Sequence, residues 1–270
     1  MEKTDWKEVY DGGSPEAEEE IFGALAVRVL KIQERNRIKS SVPVNRRTLH
    51  AKIIVGVTNA RFEVAHDLDA SYSAGPFQPG ATIRTMVRLS NASGIAGRDG
   101  GKDMRGAALR LELGQGRAHD LLMTSYPVSH ARNARQFVQF AEVMAGNKLL
   151  AILRLLIRFG PIEARRMLRN VLSAATVSRS LALERYWSRG AILWGHAGPV
   201  RFQLRPEDES VNVLQACPED PDCLAQDFSA RLKSGPVRFA FSLQPFRNER
   251  LTPIEDGAVE WTEEVSGRCE

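Results

Sequence analysis

Ile21, Leu25, Val29 and Ile32 recur three or four positions apart, which predicts an amphipathic helix over residues 14–38. Ser14-Pro15 supplies an N-cap and a first-turn proline, and glutamates fill the first turns. The pattern then changes. Over 46–113, short β-prone runs at 52–58, 61–64, 82–89 and 107–113 alternate with Gly, Pro and Asp turns, as in an antiparallel sheet or barrel. A glycine-rich loop spans 90–101. Residues 131–186 return to helical spacing: Val138, Phe140, Ala141 and Met144 make one apolar face, and further helices are expected over 149–158 and 161–172. Strands come back at 200–204 and 237–243, with a helix over 224–233 between them. There is no internal repeat.

This order predicts an α+β fold, an antiparallel β-barrel with surrounding and inserted helices. We expect a helical arm over 1–40 and a barrel domain over 41–270 that carries a helical insertion at about 131–186. A chain of 270 residues, 43% hydrophobic, has enough apolar material for one large core.

Charge narrows the function classes. The net charge of +4 is mild, and the basic residues lack interleaved aromatics, so nucleic-acid binding is not expected. The loop from Gly94 to Gly101 lacks the Gly-Lys-Ser/Thr ending of a phosphate loop. No window reaches about 18 uninterrupted apolar residues, so no transmembrane segment is expected. Arg154, Arg158, Arg165, Arg166 and Arg169 stud the apolar region 149–169. It fits either a greasy substrate at a membrane surface, with peripheral contact, or a packed helix pair with a solvated basic face. Cys217, Cys223 and Cys269 form no Cys-x-x-Cys and read as ordinary thiols. Their odd number and an N-terminus without an apolar signal segment point to the cytoplasm.

Two segments carry candidate chemistry: Arg47-Thr48-Leu49-His50-Ala51-Lys52 and Phe62-Glu63-Val64-Ala65-His66-Asp67. Taken alone, His50 reads as a core histidine and Phe137 as plain core. Arg47 and Arg88 read as surface or salt-bridged arginines, His66 and Asp67 as braces of a turn. His119, His130 and His196 have no supporting context. In order, however, the segments are followed by Val87-Arg88-Leu89-Ser90 running to Gly94, by Asp103-Met104-Arg105-Gly106, by Asp120-Leu121, by Pro127-Val128 and by Phe137. This series resembles the haem catalases over about residues 40–262. Tyr186-Trp187-Ser188, Pro253-Ile254-Glu255-Asp256 and Val259-Glu260-Trp261 are similar to segments of the short catalase-related bacterial proteins.

The resemblance implies roles. His50 is the acid–base residue above the haem, since an imidazole titrates near neutrality. Ser90 holds its tautomer. Arg47 and Arg88 pair with the haem propionates. Leu49 lies on the haem face and Phe137 beside the ring. Thr124 stands where the family has an asparagine, and its hydroxyl, or that of Ser125, is a candidate donor to peroxide. Ser129 replaces a phenylalanine. No Arg-x-x-x-Tyr occurs around Tyr10, Tyr72, Tyr126 or Tyr186, and no metal ligand is assigned. The expectation is a chain shortened before the proximal tyrosine. Either haem has been lost, or a His, Cys269 or a partner chain ligates the iron.

The expected activity is therefore haem-dependent catalase or peroxidase chemistry on hydrogen peroxide or organic hydroperoxides, in a homo-oligomer by family habit. Two alternatives remain: a haem-free module of the same fold that binds an apolar ligand or a partner protein, and a lipid-hydroperoxide isomerase.

Overall fold

The computed structural model describes residues 6–44, 46–207 and 220–266; Cys217 and Cys269 lie outside them. Helix α1 (Pro15–Ser40) starts where Ser14 caps it, Oγ accepting from the Ala17 amide at 3.2 Å, and ends at Ser41 in the left-handed region. Its Leu25 and Ile32 are buried, and Arg28 bridges to Glu142 of α2 (Ala134–Ala145) at 2.5 Å.

The sheet is antiparallel throughout. β1 (Ile53–Glu63), β2 (Thr82–Asn91), β3 (Arg105–Glu112), β4 (Ala118–Thr124), β5 (Tyr186–Ser188), β7 (Pro199–Pro206) and β6 (Ile192–Leu193) neighbour one another in that order, and β8 (Phe239–Pro245) also pairs with β7. The runs expected at 52–58 and 61–64 are one strand. A register shift between Val57 and Ala60 marks a bulge inside it, which breaks the alternation without ending the ladder. Among the described residues no ladder joins β1 to β8, so the sheet is open where a closed barrel was expected. Side chains close the gap instead: the rings of Phe62 on β1 and Phe241 on β8 meet edge to face with centroids 5.1 Å apart.

Alternation along the strands sets the core. Leu89, Leu109, Leu111, Leu121, Met123 and Val200 are almost fully buried on one face of the sheet. Helix α4 (Cys223–Ser234) packs Leu224 and Phe228 into the same core. A second, smaller core joins α2 to α3 (Lys148–Ala174) through Phe140, Val143, Leu155 and Met167. The two helices expected over 149–158 and 161–172 are the halves of α3. Gly160, at φ 76°, kinks it, and Pro161 opens the second half, where a missing amide proton costs nothing.

Candidate functional site

β2, β3 and β4 place Ser90, Gly106 and Thr124 opposite one another in a row, so these three share one face of the sheet. The His50 imidazole lies over this row, Nδ1 3.0 Å from Ser90 Oγ. Gly106 must be glycine: a β-carbon there would stand 2.4 Å from His50 Cε1 and 2.5 Å from Nδ1. His50 itself has φ 56°, uncommon for a residue with a side chain. Flanking contacts hold it so. The His50 amide donates to Ala92 O and the Ala51 amide to Ser93 O, both at 3.0 Å. Buried Asn36 of α1 donates to Thr48 O at 3.1 Å, which ties the helix to the segment that carries His50.

The Asp103-x-Arg105-Gly106 motif is scaffold for this ring. Arg105 is fully buried and donates to Asn91 Oδ1, to Asp99 O at 2.9 Å and to Gly101 O at 2.8 Å, tying the glycine-rich loop across its base. Lys52 pairs with Asp99 at 2.8 Å and Asp222 at 2.7 Å, which fastens β1 to the same loop. His66 packs under Gly80, where a β-carbon would lie 2.7 Å from its Nδ1, and so braces a turn.

Burial pushes the His50 pKa down to about 4, helped by the Arg88 and Arg189 charges and opposed by Asp103. At neutral pH the imidazole is neutral and can accept a proton. Arg88 lies two residues before Ser90 on the same face of β2. Its pKa is lowered by burial and by the nearby Arg47 cation, and its buried Nε has no hydrogen-bond partner. Leu122, 58% exposed, lies across from it on the same face, beyond Ala108. Leu49 is half-buried beside His50.

Haem can be tested against these features. Two crowded guanidiniums, one with an orphaned buried Nε, beside an exposed apolar surface suit a flat apolar ring that carries carboxylates. The residues therefore fit the group on the His50 side. Tyr186 supplies no iron ligand: it is fully buried and its hydroxyl donates to Leu181 O at 3.2 Å. Among the described residues no cluster of three His, Cys, Asp or Glu side chains could hold a metal. Cys223 is buried and unpaired, its thiol pKa raised by burial.

Thr124 is not a free donor. Its oxygen accepts from Arg189 Nη1 at 3.0 Å and its hydroxyl points to Tyr126 O at 3.4 Å. Ser125 is tied back to β3, its Oγ accepting from the Arg105 amide at 2.8 Å. Ser129 is buried, and its amide donates to Gly257 O at 2.7 Å. A small residue there lets the chain around Pro253-Ile254-Glu255-Asp256 dock, and Arg132 of the facing loop pairs with Asp256. Phe137 belongs to the smaller core, its ring 5.1 Å from that of His130.

Arg189 escaped the sequence reading, and His130 was named there without a role. Arg189, its pKa lowered to about 10 by burial, donates to Thr124, to Tyr126 O at 3.3 Å and to Val128 O at 2.7 Å. His130 is packed between Phe137 and Phe140, its Nε2 buried without a partner. Burial first, then Arg189 and Arg166, take its pKa to about 4. The available signal was adjacency: Arg189 follows Tyr186-Trp187-Ser188, and His130 follows Pro127-Val128.

The catalase family model matches residues 23–148. A catalase-related peroxidase of Mycolicibacterium paratuberculosis (strain ATCC BAA-968 / K-10) is 30% identical over 208 residues, covering 73% of this chain and 64% of that protein. Among solved structures, a bacterial catalase superposes with a TM-score of 0.63 at 17% identity, over 88% of this chain and 50% of its own. Catalase A from Saccharomyces cerevisiae gives 0.60 at 18% identity, over 83% and 50%. A fungal catalase gives 0.60 at 17% identity, over 82% and 48%. The chain thus spans 64% of the curated relative and about half of each catalase. In sequence over residues 23–148, and in fold over most of the chain, it is similar to the catalases.

Proposed function

We propose that the chain forms the acid–base side of a haem-dependent site that acts on hydrogen peroxide or organic hydroperoxides. One observation carries this reading: a neutral, largely buried His50 held by Ser90 over Gly106, beside the Arg47 and Arg88 guanidiniums. With Nδ1–H donated to Ser90 Oγ, the Nε2 lone pair of His50 is the base. It takes a proton from the peroxide and returns it to the leaving oxygen. Arg47 and Arg88 would hold the carboxylates of the haem, and Leu49 and Leu122 would offer it apolar contact. Haem, when bound, supplies the iron at which the oxygen–oxygen bond is cleaved. Arg189 keeps Thr124 oriented and discourages protonation of His50. The test is a hemin titration of purified protein. A sharp Soret band saturating at one haem per chain, with peroxide turnover that His50→Ala abolishes while haem stays bound, supports the reading. A broad free-hemin spectrum at every ratio overturns it.

A second reading, a haem-free module for an apolar ligand, has its own support. A cavity of about 750 Å³ lies inside the curve of the sheet near the β1–β8 gap, lined by Phe62, Phe77, Leu109, Phe228, Phe239 and Phe241. That volume and lining suit a small apolar molecule. Retention of such a ligand by protein that takes up no hemin favours this reading, whereas turnover of a lipid hydroperoxide without an electron donor favours an isomerase.

A further inference from the structure

α3 presents its apolar side to solvent. In its first half Ala151 and Leu155 face the smaller core, and the opposite side is aliphatic: Leu149 is 91% exposed, Ile152 61%, Leu153 54% and Ile157 77%. Past the kink at Gly160, Ile162 is 84% exposed and Leu172 73%. A packed helix pair with a solvated basic face would bury these residues and expose only arginines. Such a contiguous apolar surface marks an interaction site.

Charge selects the partner. Arg154, Arg158, Arg165 and Arg169 are exposed on the same helix, and none forms an ion pair with a carboxylate among the described residues. The single carboxylate of α3, Glu163, is taken up by Arg166 at 2.7 Å and Arg132 at 3.1 Å. Two copies of this chain joined through α3 would oppose eight arginines, while the nearby acids are already engaged, Glu163 by Arg166 and Arg132 and Glu142 by Arg28. At the kink, a groove of about 390 Å³ has Leu156, Pro161, Ala164 and Leu168 as walls and Arg165 and Arg169 at its rim. An apolar floor beneath cations repeats the layering of an acyl chain beneath its phosphate.

We propose that α3 lies in the plane of an anionic lipid surface. Its aliphatic side enters the acyl boundary, and its arginines reach the headgroup phosphates along their methylene stems. The helix does not cross: no helix among the described residues is long and apolar enough, and the half before Gly160 is about 18 Å long against a hydrocarbon core of about 30 Å. The same surface would carry the chain to peroxidised acyl chains, but the proposal stands without haem.

The experiment is co-sedimentation of the full chain with vesicles of phosphatidylcholine, alone or mixed with phosphatidylglycerol. Binding to the mixed vesicles is expected, weaker on the order of tenfold or more without phosphatidylglycerol or after Arg154→Gln, Arg158→Gln, Arg165→Gln and Arg169→Gln together. Leu153→Glu with Ile157→Glu changes only exposed positions, so the fold and its melting temperature persist while binding is lost. Protein that stays in the supernatant with mixed vesicles overturns the proposal, as does binding unchanged in the double Glu variant. A lipid-free dimer that the double Glu variant splits also overturns it, by assigning α3 to a contact between copies.

Discussion

The imidazole of His50 rests on the bare backbone of Gly106, so close that a β-carbon at 106 would meet Cε1 at 2.4 Å. Gly106→Ala should therefore tilt the ring away from Ser90 without touching Arg47 or Arg88. The expected outcome is a loss of peroxide turnover of about 100-fold, the usual consequence of a misplacement near 1 Å, with hemin affinity almost unchanged. Equal turnover in the variant and the wild type would remove His50 from the chemistry.

Ser90→Ala leaves Nδ1 without its partner. The ring can then flip or change tautomer, and turnover is expected to fall about tenfold to 100-fold, as for other residues that orient a functional histidine. Steady-state kinetics should assign the loss to kcat rather than KM, because Ser90 acts through the His50 ring that it orients.

The two low-pKa histidines set an acid limit. His50 and His130 are each lowered from 6.5 to about 4 by burial first, so as pH falls the unfolded chain binds their protons before the folded one. Their contribution is complete above about pH 7, is lost between about pH 6.5 and 4, and is constant below that, on the order of 3 kcal/mol for each ring. His130→Phe should keep the packing against Phe137 and Phe140 and remove its share of the loss. Urea midpoints at pH 7.5 and 4.5 measure it; an unchanged pH dependence in the variant would count against a buried neutral His130.

The local elements were legible and the convergence was not. Ser14-Pro15 marked α1, and Pro161 separated the halves of α3. β1 read as two runs because its bulge interrupts the period of two. β4 was missed because Ala118, His119 and Asp120 at its start are exposed and carry no large apolar side chain. His50, Ser90 and Arg88 were named through their motif, and the structure brings His50 to 3.0 Å from Ser90. That Thr124 is occupied by Arg189 depends on a contact across 65 positions, which no periodicity encodes. The apolar run in α3 was visible, but its outward direction depends on which side meets α2.

Arg189 is the hub of that unread contact. Arg189→Leu strips a donor from Thr124, Tyr126 O and Val128 O and removes a cation that disfavours protonation of both histidines. Stability should drop by about 2–4 kcal/mol, the cost of leaving buried acceptors unpaired. Histidine proton shifts followed by NMR should show both pKa values higher than in the wild type. Arg189→Lys should recover part of the loss, since all three contacts come from the single nitrogen Nη1 and an ammonium carries three donors.

Arg88 separates function from stability. Its Nε is buried without a partner and its charge sits beside that of Arg47, so in the ligand-free protein the guanidinium is a cost to the fold. Arg88→Met keeps the length and the apolar stem while removing both the orphaned donor and the repulsion. The ligand-free variant should therefore be more stable than the wild type, by about 1 kcal/mol. Its affinity for hemin should fall about tenfold, because one of the two carboxylate partners is gone. Thermal melting without hemin and Soret titration with it read the two effects separately. A variant that melts lower and binds hemin as tightly as the wild type would show that Arg88 braces the sheet and holds no ligand.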